Sequence, residues 1–286
     1  MMNFSIIRQA VVCAALAVIS CIGASAAFKP AFAAQPDRTH CMQNAAAPAA
    51  ARYCSGVRNA LNEHRLSAEQ LSLIALRLRE ITGWQSLAFD EDGFLVCPEP
   101  QAISGGSAAA RKLLGAALSG EAAYELESHP RSSVVKFARL ANRTVYVNRN
   151  SALTITSYPV QIDFKDFRFL QGEASALAAF DPGIALLHEL AHGVWDLPDA
   201  QSEADEPGAC ESYINQIRRE LHLPERQHYK VNARHRLNSL LLLAELHFIQ
   251  FTEKNGRLRR KRFFLRWGAP LVGDLDDARL AAAVVR

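Results

Sequence analysis

The stretch DPGIALLHELAHGVWDLPD, from Asp181 to Asp199, decides how this chain is read. Asp181 followed by Pro182 is an N-cap with proline at the first helical position, which predicts a helix start. From Ile184 to Ala191 apolar residues cover nearly every side of that helix, so it belongs in a core. Yet His188, Glu189 and His192 place three ionisable groups in its middle. His188 and His192 are four apart, and their rings therefore share one face, one turn apart. Two imidazoles at that spacing can converge on one metal ion, about 2.0–2.1 Å from each nitrogen. Glu189 stands one residue further round, where its carboxylate can take a proton from a metal-bound water. Gly193 predicts that the helix ends just past the second histidine, letting the chain reverse.

A buried zinc needs a third protein ligand, preferably anionic. Glu211 is the candidate, nineteen residues after His192 and on the next helix. In ACESYINQIRREL, Ile214, Ile217 and Leu221 mark the apolar face, and Glu211 falls within about 60° of its centre at 100° per residue. Asn215, one turn later, and Asp196 and Asp199, just past the motif, are candidates to hydrogen-bond a ligand from behind. Arg226, His228 and Tyr229 follow the second helix closely enough to fold back over the site, and each is a candidate to stabilise a developing oxyanion. A structural zinc site usually closes with four protein ligands, and three good ones are visible here. Glu189 also argues for chemistry, since a purely structural site needs no base.

The rest of the chain reads as α+β. Ser67 with Gln70 three residues on opens an amphipathic helix, SAEQLSLIALRLREITG, that ends at Gly83. FDEDGFLVCPEP is a turn and short strand, and GGSAAARKLLGAALSG is a helix between glycine stops. RTVYVN, ALTITSY and VQIDF are rich in β-branched and aromatic residues and predict two or three short strands, separated by Asn-Arg-Asn and by Pro159. RLNSLLLLAELHFIQF predicts a third clear helix whose end can pass into a strand. Asn255-Gly256 then turns into RLRRKRFFLRW, which reads as a solvated strand or hairpin, with binding to an anionic surface or nucleic acid the less favoured alternative because the rest of the chain nearly balances the charge. QSEADEP, between the two ligand helices, reads as an exposed acidic loop.

Residues 1–34 read as a secretory signal peptide: a charged start, the apolar run QAVVCAALAVIS, and small-residue cleavage sites near 26 or 33. The run is too short for a membrane span, so no transmembrane segment is expected in the mature chain. Val18-Ile19-Ser20-Cys21 also fits a lipoprotein processing site, which makes a lipid anchor at Cys21 the less favoured alternative. Residues 35–60 read as a loosely ordered N-terminal segment, and 61–286 as a single domain. The expected location is periplasmic or secreted. In an oxidising compartment Cys41, Cys54, Cys97 and Cys210 suggest up to two disulfides; Cys41 with Cys54 is the local pairing, leaving Cys97 with Cys210. A net charge of +3 over 286 residues is weak evidence for an anionic partner, and no nucleic acid is expected.

HELAH, a spacer and ESYINQIRREL together resemble the gluzincin branch of zinc metallopeptidases, in which a glutamate on the following helix is the third ligand. Over about Asp181 to Tyr229 the pattern looks like bacterial effector zinc proteases of the NleD type, from which this chain departs in carrying an export signal. The resemblance implies a zincin-like metalloprotease fold with a small β-sheet. It implies one zinc ion on His188, His192 and Glu211, Glu189 as general base, and a peptide or protein substrate. The alternatives are a zinc amidohydrolase acting on a non-protein substrate such as peptidoglycan, and a non-catalytic zinc-containing binding protein.

Overall fold

The computed structural model describes residues 55–148, 153–229, 231–235, 242–254 and 256–273. The leader, Cys21, Cys41 and Cys54 lie outside the described residues. The first described element, β1 (Gly56–Asn59), corrects the reading of 35–60 as loosely ordered throughout. Val57 is fully buried and β1 pairs in parallel with a later strand, so the ordered domain begins before residue 61.

Helix α1 (Ala68–Thr82) opens on the expected reciprocal box: Gln70 N–H donates to Ser67 Oγ, and Ser67 N–H donates to Gln70 Oε1. It stops at Gly83, whose φ of 77° is left-handed backbone that glycine tolerates. A short hairpin, β2 (Ala88–Phe89) and β3 (Leu95–Val96), leads to α2 (Ala108–Ser119), capped by Ser107. Strands β4 (Ala123–Ser128), β5 (Ala138–Leu140), β6 (Thr144–Asn148) and β7 (Leu153–Ile162) complete the first sheet with β1. β7 lies parallel to β4 on one side and antiparallel to β5 and β6 on the other.

β7 fuses two stretches that the sequence separates at Pro159. The pairing explains why proline is tolerated in its interior. Leu140 stands opposite Val160 and Thr144 opposite Ser157, so Pro159 faces the gap between β5 and β6. Its carbonyl accepts from Ala141 N–H on that side, and the missing proline donor costs no ladder bond there.

After β8 (Gln171–Gly172) and α3 (Ala174–Ala178) come α4 (Pro182–Trp195) and α5 (Ala209–Glu220). Then β9 (Glu225–Arg226), β10 (Asn232–His235), β11 (Leu242–Lys254) and β12 (Arg257–Gly268) form a second, antiparallel sheet in the order β10-β11-β12-β8, with β9 also on β11. β11 overturns the helix expected over RLNSLLLLAELHFIQF. Leu242, Ala244, Leu246 and Phe248 alternate into the core, a period of two that the leucine run hides. The hairpin expected at Asn255-Gly256 is present, with β11 and β12 in register from Lys254↔Arg257 inward.

Two hydrophobic clusters hold these elements. The larger joins α1, α2, α4 and α5 to the first sheet through residues such as Leu78, Leu113, Leu126, Val160, Leu186 and Ile214. The smaller joins the base of β11–β12 to Phe137, Leu170 and Phe180. No helix among the described residues is long and apolar enough to cross a membrane. The architecture is mixed α+β.

Candidate metal centre

α4 starts as its sequence dictates, with Asp181 Oδ1 accepting from Ile184 N–H at 2.9 Å and Pro182 in the first turn. Its end differs from expectation. The helix runs through Gly193 to Trp195 and closes on Asp196, whose φ is 52°. Gly193 serves packing instead, since a Cβ there would lie 2.5 Å from the Tyr124 ring. Asp196 is exposed at the cap, and the neighbouring Leu197 carbonyl, not the Asp196 carboxylate, receives a histidine.

His188 Nε2 and His192 Nε2 stand 3.2 Å apart. Asp199, on the extended segment after the cap, brings Oδ1 to 3.2 Å from His188 Nε2 and Oδ2 to 3.4 Å from His192 Nε2. Ligands held tetrahedrally at about 2.0–2.1 Å from one ion lie about 3.3 Å from each other. The three side chains therefore already stand at ligand-to-ligand spacing. Cys210 Sγ completes a group of four donors within 4.8 Å of one another.

The hydrogen bonds behind these groups fit a metal. His192 Nδ1 lies 2.5 Å from Leu197 O, which places the ring proton on Nδ1 and leaves Nε2 a lone pair facing the group. His188 Nδ1 has Glu211 Oε2 at 3.5 Å and Cys210 Sγ at 3.5 Å on its far side. Asp199 Oδ1 is buried and receives no well-formed hydrogen bond, a costly arrangement for a carboxylate unless a cation answers it. Burial opposes ionisation of Asp199, but the two histidines beside it outweigh that and hold its pKa well below the usual carboxylate range. His192 shows the reciprocal effect: burial lowers its pKa, and Asp199 more than compensates, raising it to about 8.

Glu211 is not placed as the sequence reading has it. It is fully buried on α5, on the Nδ1 side of His188, with its carboxylate between two guanidinium groups. Arg218 Nη1 donates to Oε1, and Arg226 Nη1 donates to Oε2 at 3.2 Å. Burial pushes this carboxyl up, but Arg218 and Arg226 bring it down to about 2. Glu211 thus meets His188 from the Nδ1 side, and Asp199 is the carboxylate that faces both Nε2 atoms. Asn215 likewise acts one step further out. Its amide exchanges two hydrogen bonds of 2.8 Å with the Arg226 backbone and accepts a third from Arg218.

The cysteine pairing is also corrected. Cys97 and Cys210 are both buried and free; Cys97 Sγ lies 3.6 Å from Ser86 Oγ, and Cys210 Sγ lies against His188. Burial raises the Cys210 thiol far above its ordinary value, so it stays protonated without a metal.

Glu189 faces the β5 edge of the first sheet, where Leu140 N–H donates to its Oε2 at 2.7 Å. Burial raises its pKa, only partly opposed by the nearby histidines and by that N–H. A carboxylate with raised proton affinity, held by one backbone donor, is suited to general-base work.

Of the three oxyanion candidates, Tyr229 alone brings a hydroxyl donor to the site. Its ring stacks on His188 at 5.9 Å and its hydroxyl hydrogen-bonds Asp199. Arg226 reaches the site but its donors are committed to Glu211 and to the carbonyls of His228 and Tyr229. His228 is exposed and lines a separate surface depression with Arg260 and Arg262. Beside His188 and Glu189 opens a cavity of about 300 Å³, walled by Phe137, Phe180, Leu246 and Trp267.

The histidines and Glu189 were legible from spacing. The place of Asp199 beside the histidines was not, although Leu-Pro-Asp after the helix carried a signal: Pro198 forbids continuation, so the chain must turn back. Leu140 acts through its backbone, which no side-chain pattern reveals. Comparison with protein-family models, curated proteins and solved structures finds no match to this chain.

Proposed function

We propose that this chain is a zinc-dependent peptidase of zincin-like architecture, with His188, His192 and Asp199 as the metal ligands and Glu189 as the general base. The observation that carries the reading is the triangle of Nε2, Nε2 and carboxylate oxygens at 3.2–3.4 Å, with Glu189 fixed alongside by Leu140. Two imidazoles and a carboxylate are donors that suit zinc, and three protein ligands leave a position open, as catalytic sites do. Zinc bound there supplies a Lewis acid that polarises a carbonyl oxygen and lowers the pKa of water toward about 7.

The chain's own residues do the rest. Glu189 accepts the proton of the attacking water and returns it to the leaving amine, so one carboxylate serves as base and then acid. Leu140 N–H keeps Oε2 occupied and so orients the other oxygen. Tyr229 supplies an O–H for the developing oxyanion once Asp199 is engaged elsewhere. β5 is the outer strand of its sheet beside Glu189, and a substrate segment pairs there in extended form. The aromatic-walled cavity beside the base favours a peptide bearing a large apolar side chain over a sugar-rich crosslink.

Metal analysis with peptide-library cleavage tests this. Purified protein is expected to hold one zinc per chain and to cut peptides, and Glu189→Gln to keep the zinc and lose the cleavage. Zinc-loaded protein that cuts no peptide in a diverse library would sink the peptidase reading.

A further inference from the structure

β11 and β12 pair from Leu243↔Gly268 out to Lys254↔Arg257, yet among the described residues only the base of this hairpin has strand neighbours. β10 pairs with residues 242–245, β9 with 248–249 and β8 with 265–266. Beyond Gln250 and Lys261 the described strands pair only with each other. A two-stranded ribbon gains little stability of its own, so such an arm calls for a use.

Its composition points to one. Residues 242–268 hold seven lysines and arginines against two glutamates, a net +5, while the whole chain is +3 and the remainder therefore −2. Lys261 pairs with Glu173 and Arg266 with Glu245. Arg257, Arg259, Arg260 and Arg262 are exposed and make no ion pair among the described residues. On the same arm Phe251 is 52% exposed and Leu258 71%. Phe251 stands opposite Arg260 and Leu258 opposite Glu253, which puts both apolar side chains on the face carrying Arg260 and Arg262. Charges alone would be explained as protection of an exposed edge against aggregation. That purpose is not served by leaving a phenylalanine and a leucine bare beside them.

We propose that the arm docks on an anionic phospholipid surface. Leu258 and Phe251 enter the boundary between headgroups and acyl chains, while Arg260 and Arg262 on the same face pair with lipid phosphates. A nucleic acid is the poorer fit, because the most exposed apolar residue is aliphatic and offers no ring for a base to stack on. The docking neither requires nor alters the hydrolysis proposed above, and it brings the protein to a surface by a route other than its N-terminal segment.

Co-sedimentation of the full chain with vesicles tests it, comparing phosphatidylcholine with phosphatidylcholine containing phosphatidylglycerol. The N-terminal apolar segment contributes equally to every variant, so the differences among variants carry the result. Binding to the anionic vesicles is expected to weaken with added salt. Each arginine near the surface accounts for about fivefold in affinity, so Arg260→Ser with Arg262→Ser should weaken binding roughly 20- to 30-fold. Leu258→Asp should weaken it about tenfold or more. Circular-dichroism melts should be unchanged in both variants, since these side chains touch no core. Equal binding by wild type and both variants overturns the proposal. So does a pattern in which the arginine pair matters, Leu258→Asp does not, and the same arginines shift a duplex DNA or RNA in a gel.

Discussion

The α4–α5 pair and the β11–β12 arm solve opposite problems. The helix pair takes charges inside: Glu189, Glu211 and Arg218 are buried among leucines and isoleucines. The arm leaves apolar side chains outside, among arginines. In the helix pair every buried charge is answered by name, Glu211 by Arg218 and Arg226, and Glu189 by Leu140 N–H. In the arm the four arginines have no ion-pair partner among the described residues. An unpaired charge is costly only where water is excluded, so substitutions at the two places should differ in kind as well as size.

The largest effect expected is on turnover. Glu189→Gln keeps the Leu140 hydrogen bond and the side-chain volume but removes the proton acceptor, and it should cost about 10²–10⁴-fold in kcat with metal content and melting temperature unchanged. Cleavage assays against zinc-loaded protein measure it, and retained turnover would remove Glu189 from the chemistry.

Next come the two carboxylates, which the sequence and the structure rank differently. Asp199→Asn should abolish zinc retention while leaving the fold intact, because Asp199 lies at the half-exposed front of the site. Glu211→Ala should cost about 3–5 kcal/mol in stability, since it strands Arg218 and Arg226 without their partner. It should weaken zinc only about 10- to 100-fold, as the loss of a group behind a ligand does. Zinc titration with chemical denaturation of both variants separates them. The reverse outcome, metal lost with Glu211 and kept without Asp199, would restore the ligand set read from the sequence.

That reversal marks where sequence reasoning ran out. Helical spacing is a local property, so His188, Glu189 and His192 followed from counting, as did the Ser67 and Asp181 caps. The facing of Glu211 was also correct: it points into the core near His188. What spacing cannot say is which nitrogen of His188 it meets, because that depends on how α5 crosses α4. The Arg226 that neutralises Glu211 comes from a strand fixed to α5 by Asn215, a long-range contact with no pattern of its own. β11 failed for the converse reason. Four consecutive leucines satisfy both the helical and the strand period, and only pairing with β12 decides between them.

pH sharpens the same contrast. With a folded pKa of about 2, Glu211 lies below its unfolded value of about 4.3. Its contribution is therefore fully present above about pH 4.3 and disappears as pH falls through 2. Acid unfolding followed by fluorescence should show a shallower loss over that window in Glu211→Gln than in the wild type. Zinc affinity should move in the same sense, but over a higher pH range. His192 at about 8 must lose its proton to bind metal, so affinity should climb with pH and level off above about 8.

A smaller effect belongs to the helix start. Asp181→Ala removes the cap on Ile184 N–H and should cost about 1 kcal/mol, read as a shift in the denaturation midpoint with an unchanged slope. The smallest is expected in the arm. Arg259→Ser or Arg262→Ser should alter stability by no more than about 0.5 kcal/mol, because each side chain is exposed and makes no ion pair among the described residues. A loss above 1 kcal/mol would mean that these arginines hold the fold together, and the division between a charge-burying half and a charge-presenting half would fail at that point.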